Sequence, residues 1–225
     1  MTLSGTVFAD PDILTSADRT TFASLTDMGT GRRQMFDRRI AAFATYDVFL
    51  FRADFSDGLS TEVQVNAEFG TNEIARGEAE KYATVVGRLP TILRVDMRTM
   101  WIHKGREPFG GGNNNILIHT DQTPEYEQQG VIEEVLFHEA THTSLDSRHA
   151  SAAGWVEAQQ RDADFISTYA RENPTREDLA ESVLMWAALR HRPNAISRQL
   201  ADTIQARMPN RLRYLDALGL SVSPM

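Results

Sequence analysis

A chain of 225 residues, with 41% apolar and 24% charged residues, has the length and composition of one globular domain, which excludes a disordered or fibrous protein. Its 23 basic residues are fewer than its 31 acidic ones and are scattered, so no nucleic-acid partner is predicted. Cysteine is absent, which excludes disulfides, thiol catalysis and cysteine-ligated metal.

The apolar runs are short. The run at residues 48–51 is far from the roughly 20 residues that span a bilayer, so no membrane partner is predicted. The N-terminus lacks the basic start and apolar core of a signal peptide. We therefore expect a secreted or periplasmic protein if an export signal was removed, and a cytoplasmic one otherwise.

The first part of the chain mixes helical and strand patterns. Residues 32–45 place apolar side chains at helical spacing beside four arginines, which predicts an amphipathic helix with a solvated basic face. Alternating or apolar runs at 48–55 and 61–69 predict two strands joined by a hairpin turn. A helix is expected over 72–87, and a strand over 93–103.

The second part begins with a turn-forming cluster at residues 110–115, followed by a short strand at 116–119. From there the pattern is helical, and the third helix of this part is expected to start after a Thr175 cap. Strands first and helices afterwards indicate an α+β protein. The predicted helices of this part cover residues 127–145, 155–171, 176–191 and 195–207.

One motif in the helical part carries chemistry, the segment His138-Glu139-Ala140-Thr141-His142. Residues four apart on an α-helix differ by about 40° around the axis, so His138 and His142 project from one face and can grip one ion. Zinc held in this way lowers the pKa of its water toward about 7, and Glu139 can take the proton as the water attacks a carbonyl. The spacing predicts Zn²⁺ as cofactor and Glu139 as general base.

A third ligand is needed, because catalytic zinc usually has three protein ligands and one water. The metzincin spacing would require glycine and histidine where Leu145 and Arg148 stand, so that family is disfavoured, and His149 is a minor candidate. Glu177 and Glu181 lie one turn apart on the same face of a later predicted helix. Near the start of that helix, the dipole favours an ionised Glu177.

The segment 169–181, YARENPTREDLAE, resembles a stretch in gluzincin peptidases related to the anthrax lethal factor protease domain, where Tyr and Asn precede Glu-x-x-Ala-Glu. By this resemblance, Glu177 ligates zinc and Tyr169 stabilises the oxyanion. Independently of the resemblance, Glu181 is the alternative ligand. One extra residue separates Tyr169 from Glu177 here. HEATHTSLD likewise resembles the HELTHAVTD of thermolysin-type gluzincins. The resemblance covers about residues 131–185 and implies a zincin-like fold.

Three further residues have two interpretations each. Glu181 is either an exposed helix charge or an acceptor that orients a ligand histidine, and Asp146, one turn after His142, has similar alternatives. His119 ends the strand 116–119 shortly before the zinc helix. In zincins, by resemblance, such an edge strand binds the substrate backbone.

These observations predict an α+β, zincin-like fold, with residues 1–225 in a single domain. A sheet-bearing lobe to about residue 145 is expected to face a helical lobe across a cleft. The predicted activity is zinc-dependent hydrolysis of a peptide or protein. A zincin-shaped binding protein without turnover and a zinc hydrolase of a non-peptide amide are the alternatives, and the intact Glu139 argues against the first.

Overall fold

The computed structural model describes residues 3–7 and 13–225. Within them, six strands form one sheet with the order β1-β2-β3-β4-β6-β5. Neighbours are antiparallel except for β3 with β4 and β4 with β6, so the sheet is mixed. The strands are β1 (Phe22–Asp37), β2 (Ala42–Phe55), β3 (Ser60–Asn66), β4 (Thr99–His103), β5 (Gly110–Gly112) and β6 (Asn115–His119).

Helices fill most of the chain after the sheet. Two of them precede β4, and the others follow β6. The α+β class, predicted from strands followed by helices, is confirmed. The helices are α1 (Asn72–Val86), α2 (Thr91–Arg94), α3 (Thr123–Gln129), α4 (Ile132–Ser144), α5 (Asp146–His149), α6 (Ala153–Arg161), α7 (Thr168–Glu172), α8 (Asp178–His191), α9 (Arg198–Arg207) and α10 (Pro209–Ala217).

The helix predicted over residues 32–45 is wrong. This segment forms the end of β1, a turn in which Ala41 has a φ of 51°, and the start of β2. Met35 pairs with Ala44 across the hairpin and is fully buried in a small cluster with Val48 and Leu50. Pairing and burial on a sheet face override the local helical spacing of the apolar residues.

The glycine-rich region also differs from its prediction. Only Asn113 and Asn114 form the turn, both with positive φ, while Gly110–Gly112 is the edge strand β5. The strand predicted at 116–119 is confirmed as β6, but it lies between β4 and β5, so its expected role as edge strand is wrong. Of the strand predicted over 93–103, only Thr99–His103 forms.

Helix boundaries account for several further differences, whereas the first part of β1 and the helix α10 have no counterpart among the predicted elements. Gly130, in the left-handed conformation, separates α3 from α4 where one helix is predicted, and the helix expected over 155–171 is divided into α6 and α7. Thr175 is not the cap of α8, because Glu177 occupies that position. The helix predicted over 72–87 and the hairpin of β2 with β3 are confirmed. No helix in the described part of the chain is long and apolar enough to cross a membrane.

Helix α4 is the central helix of the fold, packed against β5 on one side and α8 on another. Thr143 ties it to the sheet, since its hydroxyl donates to the carbonyls of Asn115 and Glu139 and accepts from the amide of Gly112 at 3.0 Å. A Cβ on Gly111 would lie 1.8 Å from the carbonyl oxygen of Glu139. The edge strand therefore approaches α4 as closely as glycine alone permits.

We expect Gly111→Ala to lower the free energy of unfolding by roughly 1–3 kcal/mol, because backbone must shift to accommodate the methyl group. Gly77→Ala is the matched control: it lies inside α1, its new Cβ would meet nothing within 4 Å, and it should stabilise by about 0.5–1 kcal/mol. Denaturant unfolding of both variants measures the difference. If Gly111→Ala were as stable as the wild type, the close contact between Gly111 and the carbonyl of Glu139 would be contradicted.

Glu134 is a fully buried carboxyl group on α4. Its Oε1 accepts from the amide of Leu14 at 2.9 Å, which fastens the N-terminal region to the helix. Burial raises the pKa of Glu134 to about 7, although hydrogen bonds from backbone amides oppose the shift. The neutral form is therefore favoured in the folded protein, and its stabilising contribution is lost as the pH rises through about 7.

Glu134→Gln stays neutral and keeps a carbonyl acceptor for Leu14. At pH 8 we expect this variant to exceed the wild type in stability by roughly 1–3 kcal/mol, with a much smaller difference at pH 5. Chemical unfolding of both proteins across this range, with a chelator present, checks the prediction. Other titrating groups are shared and cancel in the difference, so a pH-independent difference would contradict it.

Candidate metal centre

Three potential ligand atoms from two helices converge at one point. The Nε2 atoms of His138 and His142, both on α4, lie 3.1 Å apart. Oε2 of Glu177, the residue that caps α8, lies 3.2 Å from Nε2 of His138 and 3.1 Å from Nε2 of His142. The described residues contain no other group of three or more His, Cys, Asp or Glu with ligand atoms close enough to hold one metal ion.

The spacing of these atoms suits a tetrahedral cation. Ligand distances of about 2.0–2.1 Å from a tetrahedral ion place neighbouring ligand atoms about 3.3 Å apart. The three observed distances, 3.1, 3.1 and 3.2 Å, are close to that edge length. Two imidazoles with one carboxylate also form a donor set of the kind found in catalytic zinc sites, with one position left for water or substrate.

A carboxylate lies next to the Nδ1 atom of each histidine. Nδ1 of His142 lies 2.7 Å from Oδ2 of Asp146, and Nδ1 of His138 lies 3.4 Å from Oε1 of Glu181. A carboxylate on Nδ1 fixes the ring orientation and the tautomer, so that Nε2 is left to bind the ion. Asp146 is therefore hydrogen-bonded to His142, as its orienting role requires, and Glu181 is buried within ion-pairing distance of His138 rather than exposed.

Glu181 lies outside the converging group, although it is a carboxylate on the same helix. Its side chain is fully buried, and its oxygens accept from the hydroxyl of Thr6, from the amide of Val7 at 2.9 Å and from the hydroxyl of Ser167 at 2.6 Å. These donors satisfy a buried charge and hold it behind His138. The structure therefore brings Glu177, and not Glu181, to the two Nε2 atoms.

A buried ion-pair network fixes the start of α8, from which Glu177 projects. The guanidinium of Arg211, with no exposed surface, contacts the carboxylates of Asp178 and Asp162. Gln159 donates to Asp178 at 2.9 Å and to the carbonyl of Pro174 at 2.9 Å. These bonds join α6, α8 and α10 at one place, which restricts the position of the neighbouring Glu177.

The pKa values of His142 and Glu177 reflect the contacts within the converging group. Burial alone would lower the pKa of His142, but hydrogen bonds to Asp146 and Glu177 outweigh it and raise the pKa to about 10. Burial opposes ionisation of Glu177, but the two histidines hold its pKa well below the usual range. Glu177 is therefore ionised at neutral pH, as a metal ligand must be.

Glu139 and the converging ligands line the same open cavity of about 510 Å³. Burial raises the pKa of Glu139, while the charges of His138, His142 and Arg38 oppose the shift. A carboxylate with a raised pKa is a stronger proton acceptor, as a general base requires.

Tyr169 also lines this cavity and is partly exposed, at 37%. Burial and the neighbouring Glu177 carboxylate raise the pKa of its phenol to about 12. The hydroxyl group thus remains protonated at neutral pH and can donate a hydrogen bond. Its position is compatible with the role that the resemblance assigned to it.

Sequence reasoning missed two further cavity residues, Arg38 and Tyr126. Arg38 was assigned to the solvated face of a helix that does not form, and Tyr126 stands in a segment without a motif. His149, the minor ligand candidate, instead contacts the hydroxyl of Tyr214 at 2.9 Å. His103 and His119 stack on each other, with their ring centroids 5.4 Å apart, and neither lines the cavity.

Comparison of the chain with protein-family models, with curated proteins and with solved structures gives no match.

We expect the purified protein to bind about one zinc ion per chain, and His138→Ala, His142→Ala or Glu177→Ala to remove nearly all binding. Glu181→Gln keeps the shape of the side chain and should weaken affinity by about 10- to 100-fold, because only the orientation of His138 is affected. Competition titration with a chromophoric chelator measures each loss.

The control for these variants is His149→Ala, which removes a histidine outside the group and should leave zinc affinity unchanged. A greater loss for Glu181→Gln than for Glu177→Ala would show that the ligand assignment is displaced by one helical turn. Wild-type zinc content in both His138→Ala and His142→Ala would reject the site.

Proposed function

We propose that this protein is a metal-dependent hydrolase. The observation that carries the proposal is the position of Glu139, a carboxylate in an open cavity beside three converging ligand atoms. A purely structural metal site would fill its fourth position with protein and would need no base. An acceptor beside an accessible site is what activation of water requires.

Within this class, we propose a zinc peptidase with a zincin-like fold. Zinc is favoured because the donor set and its tetrahedral spacing suit that ion. A peptide substrate is favoured because the edge strand β5 runs along α4 and, within residues 3–7 and 13–225, pairs with β6 alone. Its outer backbone groups can add an extended peptide as a further strand, close to Glu139. The local resemblance of residues 131–185 to gluzincin peptidases supports the same choice.

His138, His142 and Glu177 would hold the metal, with Asp146 and Glu181 orienting the two imidazoles. When bound, zinc supplies Lewis-acid chemistry, by which a water and the substrate carbonyl are polarised. In the attack on that carbonyl, Glu139 accepts the proton of the water. The same carboxyl group then donates the proton to the departing amine.

Tyr169 would act at the developing oxyanion. Its phenol lies on the Glu177 side of the cavity and remains protonated at neutral pH, because its pKa is raised to about 12. The hydroxyl is hydrogen-bonded to Glu177, and a neutral donor that turns to the carbonyl oxygen would stabilise negative charge on it as it forms.

Two alternative functions belong to other classes of protein. A zincin-shaped binding protein would bind zinc without turnover, but the accessible Glu139 disfavours it. A hydrolase of a non-peptide amide would use the same residues, but it would have no use for the free edge of β5. Peptide cleavage is therefore the activity to test first.

Glu139→Gln keeps the size of the side chain but removes the base. We expect this variant to bind zinc as the wild type does and to cleave peptides at least about 10²-fold more slowly. Products from a mixed peptide library, followed by mass spectrometry with and without a chelator, measure the loss. Glu133→Gln, the same change on the same helix at a residue that pairs with Arg88, is the control and should retain activity.

Wild-type rates in Glu139→Gln would place the chemistry elsewhere. A zinc-loaded wild type that cleaves no member of the library would contradict the peptidase proposal and favour one of the two alternatives.

A further inference from the structure

A positively charged side chain, the guanidinium of Arg38, lines the cavity. Arg38 belongs to the turn between β1 and β2, which reaches across to the start of β5. Its Nη2 donates to the carbonyl of Phe109 at 3.0 Å, and a Cβ on Gly110 would lie 2.7 Å from the same nitrogen. The guanidinium therefore lies against the first residue of the edge strand.

Arg38 differs from its neighbours in forming no ion pair, although its charge acts on Glu139 in the same cavity. Arg39 pairs with Asp37 and Glu68, and Arg176, the other arginine of the cavity, lies 3.2 Å from Glu177. For Arg38, no carboxylate within residues 3–7 and 13–225 comes within ion-pairing distance, and its buried Nε has no hydrogen-bond partner.

The surroundings of Arg38 make an unpaired charge costly. Phe109, whose ring packs edge-on against Tyr126 at 5.0 Å, is buried beside it, and Val135 completes an apolar wall of the same cavity. A partly desolvated cation among apolar side chains is destabilised unless an anion or several acceptors reach it. The protein itself supplies one carbonyl.

We propose that Arg38 binds a carboxylate of the substrate, an inference that rests on the proposed peptidase function. The planar guanidinium presents a fork of donors that matches the two oxygens of a carboxylate. It lies beside Gly110, whereas Gly111 is the residue in contact with Glu139. Since a strand advances about 3.3 Å per residue, the carboxylate belongs within one or two residues of the cleaved bond.

In this arrangement, Arg38 favours peptides that carry a carboxylate over neutral peptides. It also allows the substrate carboxylate to bind near Glu139. A substrate carboxylate close to Glu139 would be repelled by it, and the charge of Arg38 offsets that repulsion. The carboxylate has two possible sources, the C-terminus of a peptide cleaved near its end, or the side chain of Asp or Glu within a longer peptide.

The test uses the zinc-loaded full chain and matched peptides. One series exchanges Glu for Gln near the cleaved bond, and the other exchanges a free C-terminus for an amide. We expect the wild type to prefer the carboxylate in one series by about 10- to 100-fold in kcat/KM. The series that shows the preference identifies the source of the carboxylate.

Arg38→Gln should lose most of this preference, and Arg38→Lys, which keeps the charge without the fork, should keep part of it. The control is Arg106→Gln, which removes an exposed arginine of the β4–β5 loop and should retain the full preference. Thermal unfolding establishes whether the variants are folded. A wild type without preference, or an equal loss for acidic and neutral peptides in both Arg38 variants, would overturn the proposal.

Binding separates this inference from the proposed function. The same peptides, labelled with a fluorophore, are titrated into Glu139→Gln with and without Arg38→Gln, and fluorescence polarisation is measured. A preference for carboxylate that disappears with Arg38 supports the inference even if the wild type cleaves nothing, a result that would reject the peptidase proposal alone. Equal binding of acidic and neutral peptides when Arg38 is intact would reject the inference.

Discussion

The contact between β5 and α4 is the constraint on which the candidate site depends. Gly111 lies so close to the carbonyl of Glu139 that a methyl group could not be inserted, and Thr143 bridges the helix to both β5 and β6. These contacts fix the position of α4 along its axis, and its rotation about that axis, relative to the edge of the sheet. As a result, α4 presents Glu139 to the cavity, and the edge strand β5 lies alongside.

The second helix of the site is positioned by a different kind of interaction. Glu177 projects from the very start of α8, where helix ends tend to fray and where no side chain caps the helix. The buried pair of Arg211 with Asp178 holds this end in place. Replacing a buried ion pair by apolar residues often costs little stability, so its value here is better understood as geometric. It keeps the Glu177 carboxylate at a fixed distance from His138 and His142 on another helix.

The sequence was informative where the chemistry is local. His138 and His142 share a helix, so their spacing alone placed both imidazoles on one face, and the strand-then-helix order indicated the α+β class. The position of Arg38 was not predictable in this way, because it depends on pairing between β1 and β2 rather than on the periodicity of its own segment. The same is true of β5, since three glycines indicate a turn until the neighbouring strand is known. Long-range pairing, and not residue type, decides both cases.

Carboxylates outnumber basic groups around His138, His142 and Glu177. Glu139, Glu177 and Asp146 line the cavity, and Glu181 lies directly behind His138. The guanidinium groups of the cavity are those of Arg38 and Arg176, and Arg176 is largely exposed, so solvent screens it. The raised pKa of His142 favours its protonated form without a metal, whereas a bound metal requires both histidines to be neutral, and in that state the four carboxylates exceed these two cations by two charges. A dication at the point where the three ligand atoms meet would neutralise that excess, and it would leave Arg38 free to attract an anion of the substrate.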